Sequence, residues 1–255
     1  MGKIFSLSNQ KGGVGKTTTA VNLGFALAKI GKKTLICDID PQGNATTGVG
    51  VDHTDKKHDS YKLMIGQSSL ESAVVQTSYN NLYVVPSTVD LAGAEIELVD
   101  MQHRETKLKD GLRAAKEMFD FVLIDCPPSL GLLTVNSLVA ADQLLIPIQS
   151  EYYALEGVTQ LLSTFQLIRK TLNPALSIFG VLLTMYDERT TLSRAVANEI
   201  KQHFGDVLFN TIIPRNVRIS EAPSHGKPIS VYDPTSKGAI AYEQLAQEVV
   251  ERVGK

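Results

Sequence analysis

Lys16 and Thr17 close a glycine-rich run, Lys11-Gly12-Gly13-Val14-Gly15-Lys16-Thr17-Thr18, that separates an apolar segment, Ile4–Ser8, from an amphipathic one. A strand, a glycine loop and a helix start in this order make a cradle for phosphate. Glycine lets the backbone wrap an anion, and successive N–H groups converge on it at the positive end of the helix dipole. Lys16 is placed to reach the β- and γ-phosphates, and the Thr17 hydroxyl to bind Mg²⁺. The run departs from the pattern G-x-x-x-x-G-K-[ST]. Gln10 stands where the first glycine would fall, and a second lysine, Lys11, opens the run. Two further segments end in carboxylates. One is Cys37-Asp38-Ile39-Asp40-Pro41-Gln42-Gly43-Asn44, and the other is Phe121–Asp125 followed by Cys126-Pro127-Pro128. Asp125 after an apolar strand is the metal-side carboxylate of such sites, and Asp40 is placed to orient or activate an attacking water.

These residues need strands to carry them to one edge. The apolar, β-rich segments Ile4–Ser8, Thr34–Asp38, Leu82–Val85, Phe121–Asp125, Gln143–Ile148, Ile178–Thr184 and Val207–Phe209 predict strands. Between them, Thr17–Ile30, Leu91–Phe119, Gly157–Leu172, Thr191–Phe204 and Ala239–Val253 have helical periodicity, with apolar residues at 161, 162, 165 and 168 as one instance. Nearly continuous apolar strands alternating with helices predict a doubly wound α/β fold, a mostly parallel sheet with helices on both faces. In that fold ligands bind at the carboxyl edge, where Asp38, Asp40 and Asp125 fall. No repeat or long linker divides the chain, so residues 1–255 are expected to form a single P-loop domain. The polar stretch 45–60 is read as a mobile surface loop.

The 255 residues carry 25 Lys+Arg against 27 Asp+Glu, a net charge of −2, which excludes a surface that coats nucleic acid indiscriminately. The balance is uneven: residues 1–37 hold six lysines and no acid, whereas 38–120 hold eight bases and fourteen acids. Two cysteines, Cys37 and Cys126, are too few for a disulfide framework and read as core thiols rather than metal ligands. The five histidines lack ligand spacing. With no signal peptide and no spanning apolar stretch, the expectation is a cytoplasmic protein with no membrane attachment. A myristoylation-like Met1–Ser6 and the sequon Asn44-Ala45-Thr46 are set aside, because they lie in a buried strand and in the nucleotide loop.

The ordered blocks KGGVGKTT, DIDPQGNAT, LAGAEIEL, DFVLIDCPPSLG, EYYALEG, LLTMYDERT and IPRNVRISEAPSHGKPI resemble the ParA family of chromosome-partitioning ATPases, in particular its short Soj-type branch. A generic P-loop protein shares only the first and fourth. The resemblance implies the deviant Walker A motif of the ParA/MinD class, in which the extra lysine, here Lys11, crosses to the partner's nucleotide in an ATP-sandwich homodimer. It implies ATP and Mg²⁺ as cofactors, slow hydrolysis and stimulation by the basic segment of a ParB-type centromere-binding partner. Sequence-independent binding of double-stranded DNA by the dimer is implied too, with nucleoid association. Pro214 and Asn216 then look like the adenine-binding loop. Because the chain opens on the first strand, the N-terminal helix-turn-helix domain of long plasmid relatives is expected to be absent.

For the DNA face, Arg189 and Arg218 are the leading candidates, with Arg194, Lys201, Arg215 and Lys227 behind them. Binding of this kind implies steep salt dependence and little base readout. Three other readings compete. A MinD-type membrane-bound division regulator needs a basic, bulky C-terminal amphipathic helix, whereas the helix here is acidic on balance and lacks Trp and Phe. An iron–sulfur reductase component needs cluster cysteines that this sequence lacks. A switch positioning a plasmid or protein cluster shares every motif.

Overall fold

Leu, Ile, Val and Phe fill the strands almost without interruption, as a sheet covered on both faces requires. The computed structural model describes residues 1–52, 58–151 and 154–254, the side chains of 154–157 excepted. Seven strands form one sheet: β1 (Lys3–Leu7), β2 (Thr34–Asp38), β3 (Val75–Gln76), β4 (Leu82–Val85), β5 (Phe121–Asp125), β6 (Gln143–Gln149) and β7 (Ser177–Thr184). Their order is β3-β4-β2-β5-β1-β6-β7, and all neighbours are parallel except the β3–β4 pair. In register, Leu7 and Asp38 both pair with Asp125, so the phosphate loop and two carboxylates leave the sheet side by side.

The helices are α1 (Lys16–Lys29), α2 (Asn44–Gly48), α3 (Ser60–Met64), α4 (Leu70–Ala73), α5 (Leu91–Glu97), α6 (Lys107–Gly111) and α7 (Ala115–Met118) in the first half. The second half adds α8 (Leu132–Ala140), α9 (Ala154–Thr171), α10 (Thr191–Phe204), α11 (Val217–Glu221), α12 (Ile229–Tyr232) and α13 (Lys237–Val253). Alternation along β1 splits the core. Ile4 joins the layer of α5–α10, while Phe5 and Leu7 join α1 and α13 on the other face. The α/β fold expected from the sequence is the one observed.

Three expectations need correction, and one strand is unexpected. The stretch 91–119 is not one helix. Its chain turns at His103, which adopts φ 54°, and the Arg104 guanidinium donates to the Val99 carbonyl across the turn. Asn136 of α8 then takes over the local backbone, accepting from Leu108 N–H and donating to the Arg104 carbonyl. Val207–Phe209 is not a strand. Leu208 makes a single bridge to Val181, and its carbonyl is claimed by Arg252 at 2.7 Å rather than by a ladder. The β3 strand, only two residues long at the end of the short run Ala73-Val74-Val75, is too brief to set a period, and it adds an antiparallel edge to the sheet. Finally, Asn44–Gly48 is helical rather than part of a surface loop. Ala45 and Val49 are buried with Val21 and Ile36, and a Cβ on Gly48 would sit 2.9 Å from Val21. Residues 53–57 of the stretch read as a loop lie outside the described residues, as do Tyr152 and Tyr153 of the block EYYALEG.

Candidate active site

β1 delivers the chain into the loop, and Asn9 fastens it there. Its side chain donates to the Pro147 carbonyl of β6 at 2.7 Å and accepts from Lys11 N–H at 3.0 Å. Gly13 and Gly15 take φ 73° and 87°, values an L side chain rarely adopts, so glycine is required at both bends. The Thr184 hydroxyl, at the end of β7, donates to the Val14 carbonyl at 2.8 Å and pins the loop from the other side. The Gln10 side-chain oxygen is buried without a hydrogen-bond partner in the slot where the standard motif has glycine.

Lys16 is buried, and its ammonium donates to the Lys11 carbonyl at 3.1 Å. Burial draws its pKa down, against the opposing pull of Asp125, Cys126 and Asp40. Asp125 is fully buried, and neither carboxylate oxygen has a partner at close hydrogen-bond geometry. Burial pushes its carboxyl well above the usual range, Asp38 adds to this, and the nearby Thr17 hydroxyl only partly restrains the rise. Asp38 is raised to about 6 for the same reason, although Thr46 restrains the rise by donating both its N–H and its hydroxyl at 2.8 and 2.7 Å. Asp40 is buried too, with one oxygen accepting from Gln42 N–H at 3.0 Å.

Gly13, Gly15, Lys16, Thr17, Thr18, Asp40 and Met185 line a cleft of about 400 Å³. A buried carboxylate left short of donors is costly unless a cation completes it. Asp125 and Thr17 thus fit a divalent cation shared with phosphate. Among the described residues no three His, Cys, Asp or Glu side chains form a metal cage, and Mg²⁺ held largely by phosphate oxygens and water needs none. Cys126 is a core thiol, bonded to Ser8 and Ser137 at 3.2 and 3.0 Å, and burial raises its pKa.

A second cleft, of about 310 Å³, shares Gly15, Thr18 and Met185 with the first and contains Pro214 and Asn216. The Asn216 side-chain oxygen caps α11 by accepting from Arg218 N–H at 2.8 Å, which leaves the amide NH₂ for a base edge. Sequence reasoning misses Thr184 and Met185 here. Both lie in the block LLTMYDERT, but only the backbone shows that Met185 turns to φ 52° between the two clefts.

Lys11 lies at the rim, its ammonium 3.0 Å from Glu151. Arg189 and Arg215 meet in a separate depression with Tyr186 and Lys237, a lysine to which no motif points. Arg189 is held by Asp187 at 2.7 Å, and its hydrogen bonds draw that carboxyl down to about 2. Arg218 is exposed and paired with Glu221 at 2.9 Å and Asp233 at 3.6 Å. Arg194 and Lys201 are exposed on α10. Lys227 is not with them. It lines a third cleft, beside Thr17, Thr18 and Asn44.

Fold and loop define a P-loop nucleotide-binding protein, and residues 2–178 match the AAA domain family. The chain is 56% identical to the sporulation initiation inhibitor protein Soj of Bacillus subtilis, over 98% of both chains. It is 52% identical to the chromosome-partitioning ATPase Soj of Treponema pallidum over the whole of both. With the chromosome partitioning protein ParA of Caulobacter vibrioides it shares 49% over 98% of this chain and 94% of that one. The chain therefore belongs to the Soj/ParA family of chromosome-partitioning ATPases. Among solved structures, the cobyrinic acid a,c-diamide synthase of Mycobacterium smegmatis with bound ADP and magnesium superposes with a TM-score of 0.87. It is 36% identical and covers 100% of this chain and 96% of that one.

Proposed function

We propose that this protein is an ATP-dependent DNA-partitioning switch. In this reading ATP pairs two copies, the pair binds double-stranded DNA without sequence preference, and a ParB-type partner stimulates hydrolysis. The observation that supports it is that Lys16 and Asp125, both buried, lie within electrostatic reach of each other beneath one glycine loop. A polyanion with a divalent cation balances both groups at once. Lys16 and the loop N–H groups hold the phosphates, and Asp40 orients the water that attacks. Mg²⁺, held through Thr17 and Asp125, supplies charge neutralisation when bound. Lys11, tied to a half-exposed Glu151, is free to cross to a second copy. Pro214 and the Asn216 amide receive the base.

Arg189 and Arg218 contact DNA phosphates, with Arg215, which shares a depression with Arg189, and Arg194 and Lys201 as further candidates; Lys227, beside Thr17 and Thr18, is withdrawn from that face. In one copy Arg189 and Arg218 are offset by Asp187, Glu221 and Asp233, so useful affinity needs two copies. The MinD-type membrane reading is disfavoured by α13. Its apolar residues Tyr242, Leu245 and Val249 are buried against the core, and Ile240 is the one large apolar side chain of the helix that is well exposed, too little for a bilayer-binding face. No described helix is long and apolar enough to cross a membrane. The test is DNA binding with ADP, ATP and a slowly hydrolysed ATP analogue over a salt series. Binding with ATP and analogue only, falling steeply with salt, is expected; binding independent of nucleotide would overturn the switch.

A further inference from the structure

One carboxylate gathers the loop that carries Asp40. Asp38 Oδ1 accepts from Asp40 N–H at 3.1 Å, and Asp38 Oδ2 accepts from Thr46 N–H at 2.8 Å and from the Thr46 hydroxyl at 2.7 Å. The near end of the loop is also pinned to β5, where Ile39 N–H donates to the Asp125 carbonyl at 3.0 Å. At the far end the Thr46 hydroxyl oxygen accepts from Ser87 N–H at 3.0 Å, just past β4. Ser87 is anchored on both sides. Ser60 N–H donates to the preceding Pro86 carbonyl at 2.8 Å, and the Thr88 hydroxyl donates at 3.0 Å to Asp59, the cap of α3. Asp38, Thr46, Ser87 and Asp59 are all sealed from solvent. One hydroxyl thus joins the ends of the neighbouring strands β2 and β4. Valine would fill the same space. What the position uses is the hydroxyl, whose proton goes to a carboxylate and whose lone pair takes a peptide N–H.

We propose that Thr46 is a positioning residue for hydrolysis, acting on Asp40 through Asp38. Its hydroxyl fixes the plane of the Asp38 carboxylate against Ser87. That keeps Oδ1 on Asp40 N–H and sets where Asp40 stands at the phosphate cleft. Thr46 does not line that cleft, so it acts at one remove. The Asp40 carboxylate has one protein donor among the described residues, Gln42 N–H, inside the same loop, so its place follows the loop's. Phosphoryl transfer is governed by positioning, and a shift of about 1 Å can cost about a hundredfold in rate. The inference rests on the reading of Asp40 as the group that orients the attacking water.

The test is single-turnover ATP hydrolysis by the full chain with Mg²⁺, alongside ATP affinity by isothermal titration. Thr46→Val is expected to slow hydrolysis roughly tenfold, the scale of one hydrogen bond to a charged group, with ATP affinity unchanged. Thr46→Ser, which restores the hydroxyl, is expected to recover the wild-type rate. Ser87→Ala is expected to leave rate and affinity alone, because the Ser87 hydroxyl has no partner and its N–H remains. Asp40→Ala, and Asp40→Ala combined with Thr46→Val, complete a cycle. If Thr46 acts through Asp40, its substitution costs nothing more once the Asp40 carboxylate is gone. A wild-type rate in Thr46→Val overturns the proposal, as does failure of Thr46→Ser to recover the rate or a further loss in the double variant. Should circular dichroism show Thr46→Val unfolded, Thr46→Ala carries the same outcomes. A wild-type rate in Asp40→Ala refutes the reading of Asp40, and this inference with it. Slow turnover in Asp40→Ala beside an unaffected Thr46→Val refutes the inference alone.

Discussion

On the proposed reading, Asp125 serves the metal at the expense of the fold. A carboxyl with a raised pKa binds its proton more tightly folded than unfolded. The folded state therefore loses stability as pH rises above the unfolded value of about 4. Asp125→Asn removes that penalty. The nucleotide-free variant is expected to melt higher than wild type at pH 8, with the difference shrinking toward about pH 4, and to lose Mg²⁺-dependent turnover. A gain near 1 kcal/mol would appear as roughly 2–4 °C in a domain of this size by scanning calorimetry. Lys16→Ala is expected to weaken ATP binding about a hundredfold, the scale of one or two charge-assisted hydrogen bonds, by isothermal titration. Asp40→Ala should leave ATP binding intact and turnover slow in a phosphate-release assay. At this scale residue types are legible in the sequence. Lys11, Lys16, Thr17, Asp40 and Asp125 stand out by spacing because the proposed chemistry calls for those groups. Met185 and Lys237 are not, because a methionine bent to positive φ and a lysine beside Arg215 become visible only once distant segments meet.

Elements hold the loop more than the loop holds itself. The Thr184 hydroxyl on the Val14 carbonyl and Asn9 on the Pro147 carbonyl brace it from β7 and β6. Thr184→Val keeps the shape and removes one of those bonds. It is expected to lower ATP affinity roughly fivefold, about 1 kcal/mol, with the melting curve nearly unchanged. The same scale shows where patterns mislead. Thr34–Asp38, Leu82–Val85, Phe121–Asp125 and Thr191–Phe204 are legible to the residue, since buried strands and a long amphipathic helix state their period plainly. The stretch 91–119 misleads because its apolar spacing persists across the turn at His103. The break is imposed by Arg104 and Asn136, which act from outside the periodicity. The α2 turn escapes detection because one buried pair, Ala45 and Val49, is too short to set a period.

For the molecule as a whole, a net charge of −2 and DNA binding are compatible only if the positive groups act together. Arg189 and Arg218 each carry a local acid, so removing either leaves a partner carboxylate as well as a missing cation. Arg189→Ala and Arg218→Ala are each expected to weaken ATP-dependent DNA binding uniformly across sequences. Each should also lower the slope against log salt by about one for every phosphate left unneutralised, with ATP hydrolysis retained. A gel-shift salt series reads both. Lys11→Ala should bind ATP but fail to shift DNA, since the arginines of one copy alone are insufficient.

Strand order also sets a schedule for the growing chain. β1 is made first, yet its sheet neighbours are β5 and β6, which end at Asp125 and Gln149. At about 5–20 residues per second, some 7–30 s pass before both neighbours have been synthesised. During that interval the strand that leads into the loop is unpaired on the ribosome, a natural client for a holdase. A nascent chain halted before residue 121 cannot assemble the phosphate cradle, whatever nucleotide is supplied.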